Sequence, residues 1–297
     1  METDGLNGSA LAGRRIQRMN GAGNKILILD LRDASALPTP AEARAIHRAP
    51  GLDYDQMMTL SAPRTPGTAA FVRIYNNDGS LAGACGNGTR CVADRLSREL
   101  GAISLAVETE AGVIACERLA RETYRVDMGA PRLDWREIPL AREVEDTRRV
   151  GLDWPDGDPL AALGSAATVN MGNPHTVFFV ADLARVDAAA WGARIEVHPM
   201  FPRRTNVTFA QVGASDVVTA RVWERGVGLT LACGSAACAT VVSGVRLGVA
   251  GRKAAVRLPG GELVIEWREQ DGHVFMTGPV EFEGEMVLDD VFFEATA

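Results

Sequence analysis

The chain has 297 residues, 46% of them hydrophobic and 23% charged, with a formal net charge of −7. That length holds one large or two medium domains, and the balance is ordinary for a soluble globular protein. No apolar run approaches membrane-spanning length, and a negative chain without long basic runs is a poor match for nucleic acid or an anionic membrane surface.

Residues 1–14 are rich in Gly, Ser and Asn, lack an apolar core, and read as a disordered leader rather than a signal peptide. A short apolar strand is expected over 25–31. Thr39-Pro40-Ala41-Glu42 has the form of a capping box with proline at the first helical position, so a helix starts there. Residues 56–61 and 69–75 read as strands. A helix follows Cys85-Gly86, with Val92, Leu96 and Leu100 at i, i+4 and i+8 and Gly101 placed to end it. Residues 105–119 form a hairpin turning near Ala111-Gly112. After a join near Pro131, residues 133–163 are charged, Pro- and Gly-rich, and partly a linker. Strands are expected over 177–180, 205–211 and 217–223. A helix over 235–247, apolar on nearly all sides, should be buried. A hairpin over 254–267 turns at Pro259-Gly260-Gly261.

The second half repeats the first. Arg73-Ile74-Tyr75 precedes Cys85-Gly86 by the same interval that separates Arg221-Val222-Trp223 from Cys233-Gly234, at an offset of 148 residues. Gly23-Asn24 recurs as Gly172-Asn173, Gln56 as Asn206, and Met128-Gly129-Ala130-Pro131 is echoed by Met276-Thr277-Gly278-Pro279. An ordered series of offsets between 148 and 150 indicates duplication of one unit. The fold class is therefore α/β (α+β): two pseudo-symmetric domains, each strand-rich around a central helix, with the active site expected in the cleft between them. The domains span 15–131 and 132–276.

The five cysteines, Cys85, Cys91, Cys116, Cys233 and Cys238, are odd in number and follow no secretory signal, which points to reduced thiols in the cytoplasm. Their spacings match no common zinc pair, and no metal site is expected. Cys91, Cys116 and Cys238 sit in apolar patterns and read as small core residues. Cys85 and Cys233 differ, because each precedes a small polar segment at a helix start, Gly86-Asn87-Gly88 and Gly234-Ser235-Ala236. A helix start offers unpaired N–H groups and a positive dipole end, which cradle a carboxylate and favour a thiolate. Two such motifs related by duplication suit the inversion of a carbon centre, one sulfur removing a proton from one face and the other returning one to the opposite face.

Six segments in order, Met19-Asn20-Gly21-Ala22-Gly23-Asn24, Asn76-Asn77-Asp78-Gly79-Ser80, Cys85-Gly86-Asn87-Gly88-Thr89-Arg90-Cys91, Gly172-Asn173-Pro174-His175, Arg204-Thr205-Asn206-Val207, and Glu224-Arg225-Gly226 followed by Ala232-Cys233-Gly234-Ser235, resemble the diaminopimelate epimerase family. The resemblance runs from about Ile16 almost to the C-terminus. It implies interconversion of LL- and meso-2,6-diaminopimelate for lysine and peptidoglycan synthesis, with no pyridoxal phosphate, metal or other cofactor. Cys85 and Cys233 match the catalytic pair. His175 and Glu224 match residues that tune the sulfurs. Asn24, Gln56, Asn76, Gly86, Asn87, Asn173, Asn206, Glu224, Arg225, Gly234 and Ser235 match substrate-binding positions. A segment over 277–297 that returns to complete the first domain, and a homodimer with Phe282 in place of an aromatic contact residue, are also implied. Arg225 suits a distal carboxylate, because its planar fork fits that geometry. Glu224 suits an ammonium. Ala236 stands where the family has glycine, which is harmless if its dihedrals are helical. The alternatives are a proline racemase or hydroxyproline epimerase, which would not need the Glu224-Arg225 pair, a phenazine-type isomerase, which lacks the cysteine pair, and a non-catalytic amino-acid-binding protein.

Overall fold

The computed structural model describes residues 9–214 and 216–294. In chain order the elements are β1 (Arg15–Gly21), β2 (Asn24–Asp30), α1 (Pro40–Arg48), β3 (Gln56–Ser61), β4 (Phe71–Asn76), β5 (Leu81–Ala82), α2 (Gly86–Leu100), β6 (Ser104–Thr109) and β7 (Gly112–Ala120). They continue with β8 (Thr123–Asp127), β9 (Ala167–Asn170), β10 (Pro174–Phe179), α3 (Ala188–Glu196), β11 (Asn206–Val212), β12 (Val217–Glu224), β13 (Gly228–Thr230) and α4 (Gly234–Leu247). The last four are β14 (Lys253–Leu258), β15 (Gly261–Trp267), β16 (Val274–Pro279) and β17 (Glu281–Val287). Two compact units result, one of residues 1–124 and 279–297, the other of 125–278. The first boundary thus falls seven residues before the expected join at Pro131, inside strand β8.

In the first unit, strands run in the order β17-β1-β2-β3-β4-β6-β7, with β5 also paired to β4. The second runs β9-β10-β11-β12-β14-β15-β16, with β13 on β12. Directions agree pair by pair: β2/β3 and β10/β11 are parallel, β3/β4 and β11/β12 antiparallel, β4/β6 and β12/β14 parallel. Register agrees as well, Met57 opposing Tyr75 as Val207 opposes Trp223. The duplication read from sequence is therefore a duplication of topology.

Local signals explain most element ends. Thr39 accepts from the Glu42 N–H while Glu42 reaches back to the Thr39 N–H, so α1 opens on a full capping box. Gly101 and Gly248 end α2 and α4 in the left-handed conformation, at φ 66° and 73°. α4 is buried over residues 236–244. One core cluster of the first unit gathers Leu27, Leu29, Ile46 and Tyr54, and one of the second gathers Leu160, Phe178, Ile195 and Phe209.

Two expectations are corrected. Residues 9–14 are not a disordered leader: Leu11 is buried in the first core cluster, and the Gly13 N–H donates to Leu288 O at 2.8 Å. Residues 1–8 of that span lie outside the described residues. Leu100 does not extend the buried stripe of Val92 and Leu96 but is 55% exposed. Steps of four overshoot the helical turn by about 40° each, so a third residue rotates off the face in the last turn.

Candidate active site

Cys85 is the N-cap of α2, in extended conformation (φ −147°, ψ 102°), and Cys233 occupies the same place on α4 (φ −136°, ψ 110°). Neither helix has an acidic residue in its first turn, so both leave their positive ends uncompensated.

In the first unit β4 ends at Asn76, and a tight turn with Gly79 at φ 86° leads through β5 to Cys85. Half-buried Cys85 accepts from the Gly88 N–H at 3.2 Å and donates to Gln56 Oε1 at 2.8 Å. Gln56 Nε2 donates to Asn76 Oδ1 at 3.5 Å, and Asn76 Nδ2 donates to Ser80 Oγ at 3.0 Å. Three of the expected site residues thus form one chain of polar contacts. Asn24 is held separately: its Nδ2 and the Lys25 N–H both donate to Asp55 Oδ2 at 2.8 Å. Gly86 and Asn87 make the buried first turn of α2. Asn87 Oδ1 is buried with no hydrogen-bond partner, an unfilled polar capacity that a ligand can meet. Gly21 lets the β1–β2 turn approach, because a Cβ there would lie 3.1 Å from Asn87 O.

In the second unit Cys233 is only 6% exposed, with Ser235 Oγ 3.5 Å from its sulfur. Burial above all, and then the Glu224 carboxylate, push its thiol well above the ordinary cysteine range. The Ser235 hydroxyl and the Ala236 N–H pull the other way, without a proper capping hydrogen bond. Ala236 lies inside α4 with ordinary helical φ, so the residue in place of glycine carries no strain. Glu224 ends β12. The Arg225 N–H donates to Asn206 Oδ1 at 3.0 Å, and Asn206 Nδ2 donates to Pro174 O at 2.9 Å. Arg225 Nη1 donates to Arg203 O at 3.1 Å.

His175 is fully buried on β10. Its Nε2 lies 2.8 Å from Asn173 Oδ1, an acceptor, which makes Nε2 the protonated nitrogen. Nδ1 is left as a buried lone pair with no partner. Desolvation first, and the Arg225 charge second, lower its pKa to about 3, so the ring is neutral at physiological pH.

The pairing register lines up three positions in each unit. Ile26, Gln56 and Asn76 face one another across β2, β3 and β4. His175 faces Asn206 across β10 and β11, and Glu224 follows Trp223 one residue beyond the Val207–Trp223 pair. Two of the three positions in the row of the second unit, His175 and Glu224, are therefore titratable, and none in that of the first. Asp55, which orients Asn24, and Glu196, which accepts from Trp223 and Gly226, carry no mark in sequence that sets them apart from other surface acids. None of the five cysteines is in a disulfide, and no cluster of His, Cys, Asp or Glu suited to a metal ion occurs among the described residues. No described helix is long and apolar enough to cross a membrane.

The solved hydroxyproline epimerase from Agrobacterium vitis shares the fold, with a TM-score of 0.66 at 13% identity, covering 93% of this chain and 92% of that one. Sequence kinship is much closer elsewhere. The diaminopimelate epimerase of Rhodopseudomonas palustris (strain BisB18) is 51% identical over 288 residues, 97% of this chain and 99% of that protein. That of Methylorubrum populi is 53% identical over 293 residues, 96% of this chain and 98% of that protein. The sequence model of the family described as "Diaminopimelate epimerase" matches residues 17–133 and again 167–283, once on each copy of the duplicated frame. With both copies matched and each cysteine capping its helix, the chain belongs to the diaminopimelate epimerase family.

Proposed function

We propose that this chain epimerises LL-2,6-diaminopimelate to the meso form, with Cys85 and Cys233 as the two acid–base groups and no cofactor. The observation that carries this reading is the placement of both cysteines as N-caps at equivalent points of the duplicated frame.

In this mechanism the reacting carboxylate rests on the N–H groups of Gly86-Asn87 and Gly234-Ser235, where the helix ends stabilise the charge that spreads onto it as the α-proton leaves. One sulfur takes that proton as a thiolate, and the other delivers its own to the opposite face. Burial and the Glu224 carboxylate favour the protonated form of Cys233. His175, with a bare lone pair on Nδ1, and Glu224 adjust proton occupancy at the sulfurs. Arg225 takes the distal carboxylate, with Asn24, Gln56, Asn76, Asn173, Asn206 and Glu224 completing recognition of the amino-acid groups. The reaction serves lysine and peptidoglycan synthesis, and we place the enzyme in the cytoplasm as a homodimer. Phe282, 48% exposed on β17, is the residue we assign to the dimer contact.

Proton NMR of LL-diaminopimelate with reduced enzyme tests the assignment. Formation of meso product by the wild type, and by neither Cys85→Ala nor Cys233→Ala, is expected. Turnover of proline with diaminopimelate left untouched would contradict the substrate.

A further inference from the structure

The turn that carries Glu224 and Arg225 is closed by one short contact of its own, the Val227 N–H donating to Glu224 O at 3.1 Å. It continues through Gly226 at φ 75°, Val227 at 74% exposure and Gly228 at φ 110°, a bare tip with two left-handed glycines. Its base is held by α3. Glu196, the last residue of that helix, is buried, and its two oxygens divide between the two flanks of the dipeptide. Oε2 accepts from Trp223 Nε1 at 2.7 Å and Oε1 from the Gly226 N–H at 2.9 Å. Trp223 immediately precedes Glu224, and Gly226 immediately follows Arg225.

One helical turn back on the same face of α3 stands Gly192, where a Cβ would lie 2.5 Å from Trp223 Cβ and 2.6 Å from Cγ. The glycine leaves the slot for the side chain, and the carboxylate four residues on receives its N–H. Glu196 Oε1 also meets Arg204 Nη1 at 3.4 Å. Arg204 has φ 58°, a left-handed conformation that residues with a side chain seldom adopt. The backbone carbonyl of its neighbour Arg203 accepts from the Arg225 guanidinium. One buried carboxylate thus ties together both segments that touch Arg225.

The first unit folds on the same frame without this device. At the offset of 149 set by Gly23 and Gly172, buried Ala43 and Ile46 of α1 match buried Gly192 and Ile195, so His47 stands in place of Glu196, and Tyr75 stands in place of Trp223. Tyr75 donates instead to Pro38 O at 2.8 Å, and Arg44 donates to Asp78 O at 3.1 Å. Closing the frame does not require a buried acid at the end of this helix, whereas the unit bearing Glu224-Arg225 has one.

We propose that Glu196, seated by Gly192, is a positioning residue that sets the Glu224–Arg225 turn so that Arg225 can recognise the distal carboxylate of the substrate. This rests on the functional reading given above. Steady-state kinetics of the full chain with LL-diaminopimelate test it, using Glu196→Gln, Glu196→Ala and Gly192→Ala, each checked for folding by thermal melting. Loss of a charge-assisted hydrogen bond that serves binding predicts a KM raised about tenfold in Glu196→Ala, with kcat within about threefold of wild type. Glu196→Gln keeps one acceptor and should fall between wild type and Ala, and Gly192→Ala should raise KM in the same direction. If Glu196→Ala does not fold, the other two variants decide. Folded Gln and Gly192→Ala variants with unchanged KM, or with kcat lowered at constant KM, would overturn the inference alone. A wild type inactive on diaminopimelate would overturn the functional reading and this inference with it.

Discussion

The two cysteine sites share a backbone and differ in chemistry. Cys85 is half-buried and sits between an amide oxygen and a helix N–H. Cys233 is buried beside a hydroxyl and a carboxylate that favours its protonated form. The same contrast runs through the rows around them, Ile26, Gln56 and Asn76 against His175, Asn206 and Glu224. Duplication preserved what the reaction needs twice, a helix end with a thiol. The second copy alone carries titratable side chains, His175 and Glu224, in its row. The copies also differ in packing: Gly88 and Ala236 are equivalent, and so are Met58 and Thr208. A Cβ at Gly88 would lie 2.5 Å from Met58 Sδ, so the bulkier strand residue in the first unit explains its glycine. α4 packs against the strand bearing the smaller Thr208, which accommodates Ala236.

The comparison breaks most plainly if one cysteine is dispensable. Each of Cys85→Ala and Cys233→Ala should lower the rate of meso product formation by about 10²–10⁴, the range for loss of a general acid or base. A variant keeping a tenth of the activity would leave only one site in the mechanism.

The next largest effect concerns His175, whose counterpart Ile26 cannot titrate. The folded chain holds the imidazole neutral down to about pH 3, while the unfolded chain takes up a proton near pH 6.5. The associated stability is therefore present above about pH 6.5 and lost as pH falls from there towards 3, by about 5 kcal/mol at most. Urea unfolding at pH 7 and pH 4 should show a smaller pH difference for His175→Gln than for wild type. An equal difference would mean that the neutral, desolvated histidine contributes nothing.

Thiol reactivity sharpens the comparison further. The buried, proton-holding Cys233 should react with iodoacetamide at pH 7.5 about tenfold or more slowly than Cys85, as followed by peptide mass spectrometry. Equal rates would remove the electrostatic contrast between the sites. The smallest effect is in the packing: Gly88→Ala should cost about 1–3 kcal/mol in urea unfolding, with much of it recovered on adding Met58→Thr. Strict additivity would deny the proposed link between strand residue and helix start.

The frame was readable from sequence wherever its cause is local or periodic. Thr39 and Glu42 announce a capping box, Gly101 a left-handed stop, and the paired Cys-Gly motifs the helix starts. Residues 9–14 were not readable, because what orders them is distant: Leu11 packs near Leu288 and Phe293. Leu100 failed because a four-residue spacing is only an approximation to the helical period. The site residues were legible as polar types in repeated motifs, and the resemblance supplied their roles. Asp55 and Glu196 escaped because an acid that accepts from a distant backbone or indole looks, in sequence, like any solvated one.

The central claim is that two different sulfurs handle the departing and the arriving proton. The direct measurement is early-time turnover of LL-diaminopimelate in D2O, with deuterium at the α-carbon followed by NMR in both product and remaining substrate. The two-base account predicts solvent deuterium in the meso product while unreacted LL substrate stays largely protiated. Meso product that retains its original proton would show a single group returning what it removed, and would contradict the account.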